Sequence, residues 1–561
     1  MLSLTSQIVY SYNDMASLLV SGLGLLVKYD YLPLVSSDLF LSRIEVVNLL
    51  VLKYLFTFLQ PIFVANILAI FYLILNTSIS FILFRRIVKD RIISLMFAIL
   101  YSGSVFFIFR VVSFTPNLYQ LFTFPLLLYF LQFKKTKPVL LGLFVFIMFN
   151  LSAYYAYFAS IFVFFWYMTD FVISEGLLRR RFALFIKKVT SFYLILLLLL
   201  GVFFLPLIMQ ILPVFSKYNP KDVENVLVNP ENRYRPIEDF YSLTYRPWYL
   251  VIPPKSSIFF GGFSRSLYEQ IKNTNYYLAD DYSEVDMAGT YLGWHFILGM
   301  IIVAVLLIYK RLSGKELAVF ESVYNNSGFI LRCFILIGLA LLVSHPPSFT
   351  ISGFNFFTPT AFIFLIVPVF RTLVRWAVII NLLVLVVNVF FYYDLYKVSK
   401  SVYYRILFIT AFVLLNYFIF AVRVPIINLN SPPDEVVFLK ENGGRGDAIA
   451  VYPKGDFYSI FWILYHDRPL LNPQDMFDVK QDFSSNKFSK NLITLEGIEG
   501  AKKLKPKHLI LYEKEINENI FKNSSNIRNI DELRMFFEEK FGKMVYSNNN
   551  VSVYERSNLN D

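Results

Sequence analysis

The side chains most able to do chemistry are carboxylates in the polar segments outside the long apolar runs, and two of them precede the first run. Asp14 ends the sequence Tyr-Ser-Tyr-Asn-Asp, and Asp38 lies in Ser-Ser-Asp-Leu-Phe. A carboxylate beside a membrane can act as a general base or bind a divalent cation. A second acidic group comes just before a later apolar run and contains Asp280, Asp281, Glu284 and Asp286. Solvated loop acids are the alternative interpretation of all of them.

Two arginines on the same predicted face supply the complementary charge. Arg371 and Arg375 are four residues apart, one turn of a helix, so both can point at one anion. The planar guanidinium binds two phosphate oxygens at once, which makes phosphate the anion we expect there. Ordinary anchoring of the two arginines at the membrane surface remains the alternative.

A long polar loop, residues 214–289, offers candidates for sugar or acceptor binding. Arg233 and Arg235 lie in Asn-Arg-Tyr-Arg-Pro, and Arg246 and Trp248 lie in Tyr-Arg-Pro-Trp-Tyr-Leu. Aromatic and guanidinium groups give sugars stacking faces and hydrogen bonds. They also gather at membrane interfaces, so both readings stay open.

The familiar catalytic signatures are missing from the sequence. We find no P-loop, nucleophile elbow, zincin helix or dinucleotide fingerprint, which argues against a nucleotide-driven pump. Neither His295 nor His345 has a second histidine at metal-ligand spacing, and the single cysteine, Cys333, lies in an apolar run. No cofactor is predicted with certainty, and a divalent cation, Mg or Mn, remains open.

The elements that must position these groups are membrane-spanning helices. The chain is 57% hydrophobic and only 16% charged, too little charge for a soluble domain of 561 residues. A helix needs about 20 apolar residues to cross the bilayer core. We therefore predict a mainly α polytopic transmembrane bundle of about ten spans, near 62–84, 92–110, 116–133, 138–153, 155–175, 190–213, 290–309, 328–345, 374–395 and 403–423.

The positive charge alternates from gap to gap, and this predicts the orientation. Basic residues follow the first, third, fifth, seventh and ninth runs: Arg85, Arg86, Lys89 and Arg91; Lys134, Lys135 and Lys137; Arg179, Arg180, Arg181, Lys187 and Lys188; Lys310, Arg311, Lys315 and Arg332; Lys397, Lys400 and Arg405. Cytoplasmic loops are the ones enriched in Lys and Arg, so the remaining gaps and both termini are predicted to lie outside the plasma membrane. This distribution also explains most of the net charge of +12, and no nucleic-acid partner is expected.

Five regions follow from this pattern. Residues 1–61 form an outer segment with an amphipathic helix near 44–59, 62–213 a first helix group, 214–289 the large outer loop, and 290–425 a second helix group. Within the second group, 359–370 is too short to cross and is predicted to be re-entrant. Residues 426–561 are predicted to form a small extracytoplasmic α/β domain, with strands near 447–452, 508–512 and 551–555 and helices near 434–441, 494–504 and 531–541.

The arrangement resembles the GT-C class of membrane glycosyltransferases, most closely its YfhO-like branch. The resemblance rests on the Asp-bearing segment before Pro61 and Asn66, the Arg85-Arg86 inner turn, Thr290-Tyr291-Leu292-Gly293 after the large loop, Pro368-Val369-Phe370-Arg371 with Arg375-Trp376, and the tail from Lys505-Pro506-Lys507-His508 to Val553-Tyr554-Glu555.

The resemblance implies a sugar donor on a polyprenyl phosphate or diphosphate, Asp14 as the base with Asp38 as a second candidate, and Arg371 or Arg375 as the phosphate clamp. The acceptor would be a cell-surface glycan or protein. The class also has a membrane helix before the catalytic loop, and we do not find such a helix here. A partner membrane protein that supplies this helix is therefore expected. A flippase or transporter of a lipid-linked substrate and a non-catalytic assembly protein are the alternative functions.

Overall fold

The computed structural model describes residues 7–9, 61–112, 115–174, 177–215, 240–272 without 242, 288–351, 354–398 without 367–369 and 371, 401–421, 426–428, 432–452 without 445 and 446, 506–513, 529–556 without 549, and the single positions 51, 55, 466 and 468. The chain forms two compact units. The first, called here the membrane unit, comprises 66–206 and 235–425, and the second comprises 1–65, 207–234 and 426–561.

The membrane unit is built from apolar helices. In chain order the helices are α1 (Pro61–Val88), α2 (Arg91–Ser102), α3 (Val105–Val112), α4 (Thr123–Tyr129), α5 (Pro138–Leu151), α6 (Ala153–Ile173), α7 (Leu178–Phe215), α8 (Gly261–Lys272), α9 (Trp294–Ser313), α10 (Glu321–Asn325), α11 (Ser327–Ser344), α12 (Pro359–Ile366), α13 (Ala377–Val398) and α14 (Val402–Phe420). Short 3-10 helices cover Pro116–Leu118, Pro247–Leu250, Ala288–Thr290, Ala318–Phe320 and Leu373–Trp376, and a π-helix covers Phe130–Lys134.

Six of these segments are long and apolar enough to cross a membrane: Asn66–Val88, Ala153–Ile173, Leu178–Leu205, Trp294–Ser313, Ser327–Ser344 and Leu373–Val398. A seventh crossing is possible if the bent pair α2–α3 counts as one span. The membrane-protein class is therefore supported, whereas the predicted count of about ten spans is not confirmed. Helices α5 and α14 are apolar but shorter, and α12 is only eight residues long.

Helix α13 is the centre of the bundle. Its most apolar window is completely buried, and it packs against α2, α9, α11 and α4. A helix that is apolar all round has to be surrounded by other helices or lipid, and here protein surrounds it. The contact with α9 is close, because a Cβ on Gly299 would lie 2.0 Å from Oδ1 of Asn388, whose Nδ2 donates to the carbonyl of Phe296 at 3.0 Å.

One end of the bundle, called here the basic pole, gathers residues from the gaps predicted to be cytoplasmic. Asp170 of α6 forms ion pairs with Arg332 of α11 at 2.7 Å and with Lys188 of α7 at 3.1 Å. The carboxylate of Asp394 accepts from the backbone amides of Ser322 at 3.2 Å and Val323 at 3.1 Å, which caps α10. Several predicted cytoplasmic gaps therefore meet at a single pole.

The second and third predicted spans differ from regular crossings. Helices α2 and α3 meet at a 44° bend at Gly103 and Ser104. The stretch after α3, predicted as a span over 116–133, is a 3-10 helix, the short α4 and a π-helix, largely buried in protein. Its irregular backbone is tolerated because side chains satisfy it: Asn76 donates to the carbonyl of Tyr119 at 2.8 Å and accepts from the amide of Phe122 at 2.8 Å.

Strands in the membrane unit form one hairpin, β2 (Ser348–Ile351) with β3 (Phe354–Phe357), among the residues that the structure describes. In the second unit, β1 (Gln7–Val9) pairs antiparallel with β4 (Ile426–Asn428).

The C-terminal part of the second unit is an α/β domain. Its sheet has the order β5 (Ile449–Tyr452), β6 (His508–Tyr512), β8 (Val551–Glu555) and β7 (Lys543–Ser547), with only β5 and β6 parallel. Helices α15 (Asp434–Glu441) and α16 (Ile530–Phe541) accompany it. The three predicted strands and two of the three predicted helices are confirmed. Strand β7 was not predicted, and the helix predicted near 494–504 lies outside the described residues.

We predict that Asn76→Leu destabilises the protein. Asn76 is fully buried, and its loss leaves a buried carbonyl and a buried amide without the partner they have now. Each such group costs about 1–3 kcal/mol. Thermal unfolding in detergent should therefore show a clearly lower Tm. Asn150→Leu is the matched control, because the bond of Asn150 to the carbonyl of Phe146 lies within its own helix. Equal Tm values for the two variants would contradict this account.

Candidate functional site

The pole opposite the basic pole, called here the loop pole, is organised by part of the large loop. The segment 243–258 exchanges hydrogen bonds with four helices of the membrane unit. The bonds join Tyr245 N to Ser344 O at 2.7 Å, Val374 N to Leu243 O at 3.0 Å, Thr290 Oγ1 to Tyr249 O at 2.9 Å, Trp294 Nε1 to Val251 O at 2.7 Å, and Ile258 N to Ala421 O at 2.9 Å. The loop thus fixes the spacing of these helix ends.

Arg246 lies at the centre of this segment and is 1% exposed. Its guanidinium donates to the carbonyl of Thr244 at 2.8 Å, to the Thr244 hydroxyl at 3.2 Å and to the carbonyl of Tyr241. It also lies 6.0 Å from the ring centre of Tyr249. Burial raises the pKa of Tyr249, and the charge of Arg246 and its hydrogen bond oppose that rise. Arg246 therefore holds the turn together and brings a fixed positive charge into a dry region.

Trp248, the sugar-binding candidate beside Arg246, lies in the 3-10 helix Pro247–Leu250. Its ring is half-buried and meets Tyr249 edge-on at 6.3 Å between centres. Tyr249 is in turn almost fully buried. The aromatic side chains of this turn therefore form part of the wall around Arg246.

Arg375 is the second arginine that the sequence predicted and the structure describes. It is 7% exposed, in the 3-10 helix Leu373–Trp376, and its guanidinium lies 4.7 Å from the ring centre of Tyr154 at the start of α6. Beside it, Tyr157 stacks on Phe370 at 4.3 Å between centres. The group thus has an aromatic wall, a setting that favours guanidinium over ammonium.

The expectation of one continuous helical turn from 371 to 375 is wrong. Thr372 has the non-helical torsion angles φ −83° and ψ 68°, and the 3-10 helix begins at Leu373. The physical reason is the large loop. The amide of Val374 donates to the carbonyl of Leu243, so a loop residue caps this 3-10 helix in place of a preceding helical turn. Spacing alone therefore no longer argues that the two arginines point at one anion.

The other predicted site residues lie outside the described residues. These are Asp14, Asp38, Arg233, Arg235, Arg371, Asp280, Asp281, Glu284 and Asp286. The structure thus places Arg246, Trp248 and Arg375 at the loop pole, and the roles of all the predicted site residues stay predictions. Among the described residues no group of three His, Cys, Asp or Glu side chains could hold a metal ion.

Two residues at this pole were not predicted as functional. Arg110 of α3 is fully buried and lies 5.0 Å from the ring centre of Phe106. The backbone of Phe106 touches Gly289, where a Cβ would come within 2.6 Å of its Cα, so α3 packs directly on the turn that bonds to Tyr249. The available signal was a lone arginine in the apolar run of 105–112, which is costly and marks functional positions in membranes.

His345 is the other residue and follows the last residue of α11. Its Nδ1 lies 2.6 Å from the carbonyl of Leu341, so Nδ1 carries the proton and Nε2 keeps its lone pair. Burial lowers the pKa of His345, the charge of Arg246 lowers it further, and the Leu341 carbonyl opposes both. The imidazole is therefore neutral at pH 7, a hydrogen-bond acceptor beside a buried arginine.

The arrangement suits an anion. Arg110, Arg246 and Arg375 are all buried, and low dielectric strengthens any charge-assisted hydrogen bond that a buried guanidinium group makes. Buried guanidinium groups also demand acceptors, from the chain or from a ligand. A search of protein-family models and of curated proteins finds no match to this chain.

We predict that His345 makes the protein sensitive to acid. The pKa of His345 in the folded protein lies below the value of 6.5 that it has in the unfolded chain. Below about pH 6.5 the unfolded state therefore binds more protons, and the free energy of unfolding decreases as the pH is lowered. His345→Asn keeps a donor for the Leu341 carbonyl but cannot titrate. Its Tm should fall less than that of the wild type between pH 7.5 and pH 5.

His508 in the second unit also contributes to the acid sensitivity of both proteins. Its burial, together with the charge of the nearby Arg468, lowers its pKa to about 4. Both proteins carry this residue, so only the difference between their acid profiles reports on His345. Superimposable profiles would show that His345 does not titrate differently in the folded protein.

Proposed function

We propose that the protein is a membrane glycosyltransferase of the GT-C type that moves a sugar from a polyprenyl-phosphate-linked donor to an acceptor at the outer face. The observation that carries this proposal is the gathering of buried arginines at the loop pole, with aromatic rings against Arg246 and Arg375. A phosphate attached to a lipid needs such cationic groups at the level of the headgroups. Positive charge concentrated at the basic pole supports placing the loop pole outside.

The proposed reaction needs no nucleotide site. The acceptor hydroxyl forms a bond to the anomeric carbon of the sugar, and the bond from that carbon to the lipid phosphate oxygen breaks. The hydroxyl proton passes to a carboxylate, for which Asp14 is the first candidate and Asp38 the second. The departing phosphate carries the electron pair away, and Arg375, with Arg371, would stabilise its charge.

A second function, the movement of a lipid-linked substrate across the membrane, has its own support. The bend between α2 and α3 and the irregular stretch that follows, with the buried Arg110 beside them, form a discontinuous crossing. Broken helices at membrane depth are typical of transporter binding sites. This reading shares the anionic lipid with the first and differs only in the chemistry.

We predict that the purified protein carries a polyprenyl phosphate or a polyprenyl-linked sugar and that Arg375→Ala removes it. One lost charge-assisted contact is worth about 1.5–3 kcal/mol, roughly a 10–100-fold weaker affinity. Mass spectrometry of co-purified lipid gives the identity, and a titration with polyprenyl phosphate gives the Kd.

Arg311→Ala is the charge-matched control, because Arg311 is exposed at the end of α9 near the basic pole. Tm and elution volume should first establish that both variants are folded. Only bulk phospholipid in a folded preparation, or an Arg375→Ala protein that binds as the wild type does, would contradict a phosphate site at Arg375.

We also predict that Asp14→Asn lowers kcat by about 100-fold or more without weakening donor binding, as expected for the loss of a general base. Asp90→Asn is the control, since Asp90 caps α2 and asparagine caps a helix equally well. The assay follows sugar transfer from a lipid-linked donor in vesicles. Full turnover by Asp14→Asn would exclude this base, and donor movement without covalent change would favour the flippase.

A further inference from the structure

The hairpin β2–β3 and the start of α12 form an exposed apolar surface with no charge. Residues 346–370 contain no Lys, Arg, Asp, Glu or His. Phe354 is 72% exposed, Phe357 79% and Phe362 66%. Phe356 is also exposed and stacks on its cross-strand partner Phe349 at 5.6 Å between centres. Phe354 and Phe356 lie on one face of β3 and Phe357 on the other, so both faces of the hairpin expose apolar side chains; we call Phe354, Phe356, Phe357 and Phe362 together the phenylalanine surface.

This surface is held firmly in place rather than left on a loose loop. The hydroxyl of Thr358 donates to the carbonyl of Pro346 at 2.6 Å, and its amide donates to that of Pro347 at 3.0 Å. Thr360 Oγ1 donates to the carbonyl of Val343 at 3.0 Å, and the hydroxyls of Ser348 and Tyr241 lie 2.6 Å apart. The hairpin is thus fixed to the end of α11, at the level where that span leaves the membrane.

Two physical limits decide what can cover the surface. A phenylalanine side chain left in water costs about 1.5–3 kcal/mol relative to burial, so four of them together favour an apolar environment. In the part of the chain that the structure describes, however, this sheet has only two strands, and a sheet edge without a third strand is costly in the hydrocarbon core. Only the boundary between headgroups and acyl chains satisfies both limits.

We propose that the hairpin β2–β3 and the start of α12 lie in the membrane interface at the loop pole, with the phenylalanine surface against the acyl chains of bilayer lipids. The surface continues the lipid-facing side of α11, where Leu342 near its end is exposed. Because the segment is uncharged, apolar contact rather than attraction to anionic headgroups holds it there. The inference does not depend on the proposed transferase activity.

The test uses the full chain in liposomes, with an environment-sensitive NBD label on a single introduced cysteine. The native Cys333 is completely buried and does not compete for the label. Phe357→Cys and Phe354→Cys probe the surface and, being exposed, should not disturb folding. Leu298→Cys, 57% exposed on α9, is the membrane control, and Met535→Cys, 69% exposed on α16, is the water control.

We expect both hairpin labels to emit further to the blue than the label at 535. Lipids with a spin label near the headgroup should quench them at least twofold more than lipids labelled deep in the chain. Emission and quenching like those at 535 would overturn the proposal. Blue emission without quenching by either lipid would also overturn it, because that result indicates that protein covers the surface. Stronger quenching by the deep label would overturn it as well, because that result places the hairpin in the hydrocarbon core. Replacing neutral by anionic lipid should leave the result unchanged.

Discussion

The loop pole depends on one constraint: helix ends that are buried in protein must find partners for their backbone groups within the chain, because water does not reach them. The segment 243–258 meets this demand by bonding to Ser344 at the end of α11, to Val374 before α13 and to Ala421 after α14. Arg246 holds the same segment in shape through the carbonyls of Tyr241 and Thr244. Arg246 therefore both shapes the turn that spaces the helices and carries a charge that we assign to anion binding. A substitution of Arg246 would alter both.

The two poles of the membrane unit use charge in opposite ways. At the basic pole Asp170 pairs with Lys188 and Arg332, and the Lys188 side chain is 42% exposed, so solvent screens that pair and its contribution to stability is modest. At the loop pole the arginines are buried against aromatic rings, and their desolvation is costly unless acceptors are close by. Charge at the basic pole is consistent with the predicted orientation and with helix packing. Charge at the loop pole has a high desolvation cost, and buried charges of this kind usually serve binding.

The sequence predicted the long apolar helices and most of the C-terminal strands because both follow from hydrophobic pattern and local breakers. The helix predicted near 434–441, for example, coincides with α15. The prediction failed where tertiary bonding overrides composition. The run after α3 is apolar enough to be taken for a span, yet Asn76, Tyr101 and Tyr155 bond to its backbone and keep it irregular. The turn at Arg375 failed for the same reason, since Leu243, far away in sequence, caps it.

The proposed donor is an amphiphilic anion, and the loop pole offers it the buried guanidinium groups of Arg246 and Arg375. A lipid-linked phosphate has its charge at the level of the headgroups and its chain in the bilayer. Guanidinium groups can therefore bind the phosphate while the membrane holds the chain. Transfer and translocation would both use that arrangement. What separates them is a carboxylate within reach of the acceptor hydroxyl, because movement of the lipid requires no proton transfer at the sugar. We therefore regard a group that takes the proton of the acceptor hydroxyl, for which Asp14 is the first candidate, as the property that decides between the two functions.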